Sequence, residues 1–98
     1  MIKVIVRRRI KEGIEVKAEE ALKDLRAAAL HQPGYVTGET WVDTADPHTV
    51  LTISTWASLG HLKAWLENEQ RIERADLLRP LLQTEEQIST YHVVGGET

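Results

Sequence analysis

Apolar and polar residues alternate along Ile2–Ile10, with Ile2, Val4 and Val6 set against Lys3, Ile5 and Arg7. A period of two rich in β-branched residues predicts a strand. The apolar Ile5 on the polar side implies that both faces of this strand are partly covered. After the turn Lys11-Glu12-Gly13 the period changes. From Glu15 to His31, Ala18, Ala21, Leu22, Leu25, Ala28 and Ala29 recur at spacings of three and four, the pattern of an amphipathic helix. Pro33-Gly34 stops it. Tyr35–Asp43 and His48–Trp56 read as two strands of a hairpin around the turn signal Asp46-Pro47. In the second of these, Leu51 and Ile53 face one way and Val50, Thr52, Ser54 and Trp56 the other. Ser58 suits an N-cap, and the helix after it carries Leu62, Trp65 and Leu66 on one side. A further helical stretch covers Glu69–Leu78, limited by Pro80. Glu85–Val94 is the last strand, with Ile88, Thr90, His92 and Val94 on one side, and Gly95–Thr98 is a tail.

The order β-α-β-β-α-β predicts an α+β, ferredoxin-like fold: a four-stranded antiparallel sheet with helices on one face. Ile5, Tyr91, Val93 and one face of the hairpin leave the other sheet face too apolar for open water. The simplest cover is a second copy of the chain, giving a homodimer through the open sheet face.

Composition narrows the function. Ninety-eight residues suit one domain spanning 1–98. A net charge of −3 argues against nucleic acid as a partner. No apolar run reaches the ~18 residues of a membrane span. With no cysteine there is neither a disulfide framework nor a thiolate metal site. The four histidines lie on four different elements without ligand spacing, so no metal is expected. No signal peptide is apparent at Met1–Arg9, and a cytoplasmic location is expected.

Pro33-Gly34-Tyr35-Val36, Gly38-Glu39-Thr40-Trp41, Asp46-Pro47, Ser54-Thr55-Trp56-Ala57-Ser58 and Trp65 form a linked pattern over about residues 2–94. It resembles the antibiotic biosynthesis monooxygenase family. The resemblance implies a dimeric α+β barrel with a pocket in each subunit, between sheet and helices. It implies three kinds of activity: cofactor-independent oxidation of polycyclic phenols, quinol oxidation, or haem degradation. In polyketide-oxidising members a Trp matching Trp56 orients the substrate, with an Asn four residues before it and a Tyr six after. Here those places hold Thr52 and Leu62. The haem-degrading branch has a Trp matching Trp65, with a His ten residues on and an Asn in the first strand. Here those places hold Ala75 and a position near Arg7, which disfavours haem.

The expected substrate-binding set is therefore Trp56, Thr52, Trp65 and Leu62. An indole offers a stacking face and one N–H donor able to stabilise a phenolate. Each Trp also suits plain core packing. Candidate bases are His61, on a helix flank with Trp65, His92 in the last strand, and Glu39 if the hairpin register turns it inward. The bland roles are a surface His, a hydrogen-bonded core His and an inter-subunit ion pair. Arg7-Arg8-Arg9 suits pairing with Glu residues, or anion recognition near a pocket mouth, with Arg8 facing opposite to its neighbours. Two functions follow. One is a cofactor-independent monooxygenase acting on an electron-rich aromatic such as a hydroquinone, with no cofactor because no flavin or phosphate-loop motif is present. The other is a non-catalytic dimeric module for a small hydrophobic ligand.

Overall fold

A computed structural model describes residues 1–96. Strand β1 (Ile2–Arg9) sits inside a four-stranded antiparallel sheet of order β2-β3-β1-β4. Its neighbours are β3 (Thr49–Trp56) and β4 (Gln87–His92); β2 (Tyr35–Val42) lies at the edge beyond β3. Helix α1 (Glu15–Leu30) links β1 to β2, and α2 (Leu59–Leu66) and α3 (Glu69–Leu78) link β3 to β4. This is the predicted ferredoxin-like α+β arrangement.

Register fixes the faces. Ile2, Val4, Val6 and Arg8 pair with Trp56, Ser54, Thr52 and Val50, so both sets point to the helix side. Ile2, Val4, Val6, Val50 and Trp56 join Ala18, Leu25 and Ala28 of α1 and Leu62 and Trp65 of α2 in one core. Ala18 and Ala28 present no side chain beyond Cβ, which lets α1 lie close over the sheet. Ser58 caps α2 as expected, its Oγ accepting from the His61 N–H at 3.2 Å. Asn68 caps α3 in the same way through the Gln70 N–H.

Two glycines carry the turns. Gly13 and Gly34 have φ of 88° and 84°, a region that disfavours side chains. At Gly34 a β-carbon would also collide with the His61 ring, so this glycine lets the hairpin strand pass beneath α2.

The elements end slightly short of their predicted bounds. Ile10 makes only an isolated bridge to Leu82, and His31, Asp43 and His48 fall outside their elements. Helix α3 ends at Leu78, before Pro80 as predicted, and a separate 3-10 turn at Arg79–Leu81 follows, where proline fits the first positions. The largest change is in β4, which lacks Glu85, Glu86, Val93 and Val94 of the predicted strand. Glu86 is drawn away from the ladder by Arg8 and Arg71, at 3.0 and 3.2 Å. Every residue of β4 is exposed, because the helices lie over β1 and β3 and leave the helix-side face of β4 open. His92 therefore faces no interior, contrary to expectation. Of the predicted tail, Gly95 and Gly96 are irregular; residues 97–98 lie outside the described residues. On the opposite sheet face Trp41 and Tyr91 are 49% and 54% exposed.

Candidate active site

A cavity of about 60 Å³ lies between the sheet and the helices. Val4, Val6 and Arg8 of β1 and Thr52, Ser54 and Trp56 of β3 form its floor, Tyr35, Gly38 and Thr40 of β2 one wall, and all three helices its roof. A void of about 150 Å³ is needed for one benzene ring, so a ring enters only by displacing side chains. The exposed lining residues Arg26 and Thr40 place the mouth between α1 and β2.

The two ends of the cavity differ in chemistry. At one end Trp56 is 1% exposed. Trp65 stacks on it at 6.0 Å between ring centres, and Tyr35 meets it edge-on at 5.6 Å. These are favourable aromatic geometries. The Trp56 indole N–H donates to Ser54 Oγ at 3.1 Å, so the predicted donor already has a partner. A β-carbon at Gly38 would overlap the Tyr35 hydroxyl, so the absence of a side chain there gives the phenol its place.

At the other end lies Arg8, 3% exposed. Its Nε donates to Glu86 at 3.0 Å and its Nη1 to Thr52 Oγ1 at 3.1 Å. Arg71 reaches down from α3 to the second oxygen of Glu86 at 3.2 Å. Burial pushes the Arg8 guanidinium below its ordinary pKa, and the charge and hydrogen bond of Glu86 pull it back up. An arginine so placed stays protonated. Of the two roles expected for the Arg7–Arg9 run, Arg8 fills the pairing role and also lines the cavity.

Trp56, Thr52, Trp65 and Leu62 all line the cavity. The three candidate bases are not brought to it in the same way. His61 is exposed at the start of α2, its Nδ1 2.7 Å from Ser58 Oγ, and His92 is exposed on β4; neither lines the cavity. Glu39 contributes to the wall, but its register partner is Ile53, on the open face. There its carboxylate accepts from the Trp41 indole N–H at 2.6 Å. A bulge at Val36, between the pairs Tyr35–Trp56 and Thr37–Thr55, turns Tyr35 inward and Glu39 outward. Sequence reasoning missed Tyr35; it reads Arg71, Arg74 and Arg79 as a solvated helix face from which one arginine could reach the pocket, and Arg71 is the one that lines it. The parity of Arg8 with Val4 and Val6 was a legible signal; none singled out Arg71, since only tertiary packing brings α3 over β1.

The sequence profile described as antibiotic biosynthesis monooxygenase matches residues 1–75. The chain belongs to this family. Solved structures with the same fold include SnoaB of Streptomyces nogalater, a cofactor-independent oxygenase. It is 16% identical, with 97% of this chain and 94% of that one covered and a TM-score of 0.86. A conserved protein of Methanosarcina mazei Go1 is 20% identical over 92% and 89% of the two chains, with a TM-score of 0.86. A further antibiotic biosynthesis monooxygenase is 19% identical over 97% and 100%, with a TM-score of 0.87. No curated protein matches the chain. Within the antibiotic biosynthesis monooxygenase family, this member puts Thr52 where the resemblance implied an amide, and the threonine hydroxyl is engaged by Arg8. Among the described residues, no helix is long and apolar enough to cross a membrane.

Proposed function

We propose that this chain is a cofactor-independent monooxygenase for an electron-rich aromatic of the hydroquinone or polyphenol type. The observation that carries this reading is a buried guanidinium at the end of an apolar, aromatic-walled cavity. Reaction with O2 without a cofactor requires the substrate to supply the electrons, and an anionic ring supplies them most readily. A fixed cation in a dry cavity stabilises that anion more than water does. The ring anion passes an electron to O2, and the resulting pair combines through a new C–O bond. The hydroperoxide then loses its C–H proton and breaks its O–O bond. One oxygen stays as a carbonyl and the other leaves with the protons as water. In this scheme Arg8 holds the charge, Trp56 and Tyr35 orient the ring, and Leu62 and Trp65 keep the inner end dry.

The test is oxygen consumption by the purified protein over hydroquinones, catechols and anthrones. Uptake above autoxidation is expected, with a fall of at least tenfold in Trp56→Phe and in Arg8→Gln. Uptake unchanged in both variants would refute this placement of the reaction.

A second reading is a binding module without turnover. What favours it is the position of the base candidates: the imidazoles of His61 and His92 lie outside the cavity and Glu39 turns to the open face. It predicts ligand-induced stabilisation and no oxygen uptake. Haem degradation has no such support, since no histidine is among the cavity's lining residues. For either reading we propose a homodimer through the open sheet face. Exposed Trp41 and Tyr91 support this partner, and Ile53 and Thr55 share their face. Sedimentation equilibrium should give a dimer, and Trp41→Lys a monomer.

A further inference from the structure

Taking the cavity as the substrate site, as proposed above, the balance of charge within it bears on the form in which a ligand enters. Two guanidinium groups, Arg8 and Arg71, share one carboxylate, Glu86. The cluster therefore carries one uncompensated positive charge. Among the lining residues the one acidic side chain, Glu39, directs its carboxylate to the opposite sheet face. Arg26 adds a further cation at the exposed mouth. Burying an unbalanced charge is costly, and an anion supplied by a ligand relieves that cost.

The donors agree with the charge. A guanidinium has five N–H groups. Arg8 spends one on Glu86 and one on Thr52. The other three donate to no side chain among the described residues and are open to a ligand. The cavity runs from Tyr35 and Trp56, at the Ile2 end of β1, toward Arg8 further along the same strand, so one end is aromatic and the other cationic. A ligand filling this space is apolar at one end and anionic at the other.

The position of the bases completes the picture. With His61, His92 and Glu39 directed elsewhere and Glu86 held by two guanidinium groups, no free base among the described residues stands ready to remove a proton from a bound neutral acid. We infer that the cavity selects a small single-ring organic monoanion, ionised before it enters, with its acidic oxygen on Arg8 and Arg71 and its ring against Tyr35 and Trp56. A ring carboxylate and an acidic enol or phenolate share this chemistry. Glu86 is then a specificity-determining residue, holding the site at one net positive charge rather than two.

The experiment is direct binding to the intact chain, followed by calorimetry and by the fluorescence of Trp56 and Trp65. The probes are benzoate, an acidic phenol ionised at the working pH, the neutral benzamide and cationic benzylammonium. At least one of the two anions is expected to bind tenfold or more tightly than benzamide, and benzylammonium more weakly still. Which anion binds better separates the carboxylate source from the enolate source. Glu86→Gln should tighten anion binding about tenfold or more, the effect of one added unit charge at an effective dielectric of about 20, and leave benzamide unchanged. A variant that has lost its fold cannot give that gain. Should Glu86→Gln not fold, Arg71→Gln carries the test, since it neutralises the cluster and should abolish the preference for anions. Benzamide binding as tightly as both anions, no binding by either anion, or weaker anion binding in folded Glu86→Gln would overturn the inference. Oxygen uptake is scored separately. Uptake on rings that show no charge preference would overturn the inference and leave the oxygenase intact. Charge-selective binding without uptake would keep the inference and favour the binding module.

Discussion

Leu62 ties the stability of the fold to the size of the cavity, and Leu62→Ala tests both. The side chain is 1% exposed and lies in the core beside Trp56 and Trp65. Truncation removes three carbons, a transfer loss of about 2.4 kcal/mol at about 0.8 per methylene. A residual void of roughly 80 Å³ at about 24 cal/mol per Å³ adds about 2 kcal/mol. The sum, near 4 kcal/mol, lies in the upper half of the range for buried Leu→Ala changes, about 2.7–5.0 kcal/mol. In a domain of this size that lowers the melting temperature by roughly 16–30 °C. The same change enlarges the 60 Å³ cavity to about the volume that accepts one benzene ring. Urea and thermal unfolding with and without benzene would measure both effects. Benzene should raise the melting temperature of Leu62→Ala by several degrees and leave the parent protein unchanged. A loss below about 1.5 kcal/mol, or equal benzene effects on both proteins, would refute the reasoning that Leu62 walls a closed inner end.

Three further outcomes are expected. Asp46 accepts from Arg9 and Thr49, which lower its pKa from 3.8 to about 2. A carboxylate depressed in the folded state stabilises the fold above its unfolded pKa and loses that contribution as pH falls through the folded value. The urea midpoints of the parent and Asp46→Asn should therefore differ by a constant amount above about pH 5 and converge between about pH 4 and 2. Gly34→Ala and Gly13→Ala share the cost of a positive φ, about 1–2 kcal/mol, but only residue 34 also meets the His61 ring, so Gly34→Ala should cost more in chemical denaturation. Thr55 Oγ1 is buried without a hydrogen-bond partner among the described residues, so Thr55→Val should raise the unfolding free energy by about 1 kcal/mol.

The fold was largely legible because local signals agreed. The shift from a two-residue to a helical period at Glu15, the break at Pro33-Gly34 and the Ser58 cap all stand where the chain turns. The faces of the edge strands were not legible. Unbroken alternation from Tyr35 puts Tyr35, Glu39 and Trp41 on one side; the bulge at Val36 separates the first from the other two. His92 has the right parity for the helix side, but the width of the helix layer decides its burial, and that layer stops short of β4. The binding half of the site could be read from strand parity and the helix stripe. The charged half needed α3 and the loop before β4 brought together, sixty and more residues from Arg8.

Gly38 also bears on how such a cavity diversifies. Its backbone needs no left-handed conformation, and the main chain opposes a side chain only through the Ile53 carbonyl oxygen, 3.3 Å from where a β-carbon would stand. What keeps the position small is the Tyr35 hydroxyl resting where a β-carbon would stand. A single base change to alanine would evict the phenol while asking the ladder at Ile53 to give only a few tenths of an ångström. The shape of the cavity can thus drift at this one codon while the scaffold stays fixed, and position 38 is a natural first site for a library that varies the space beside Tyr35.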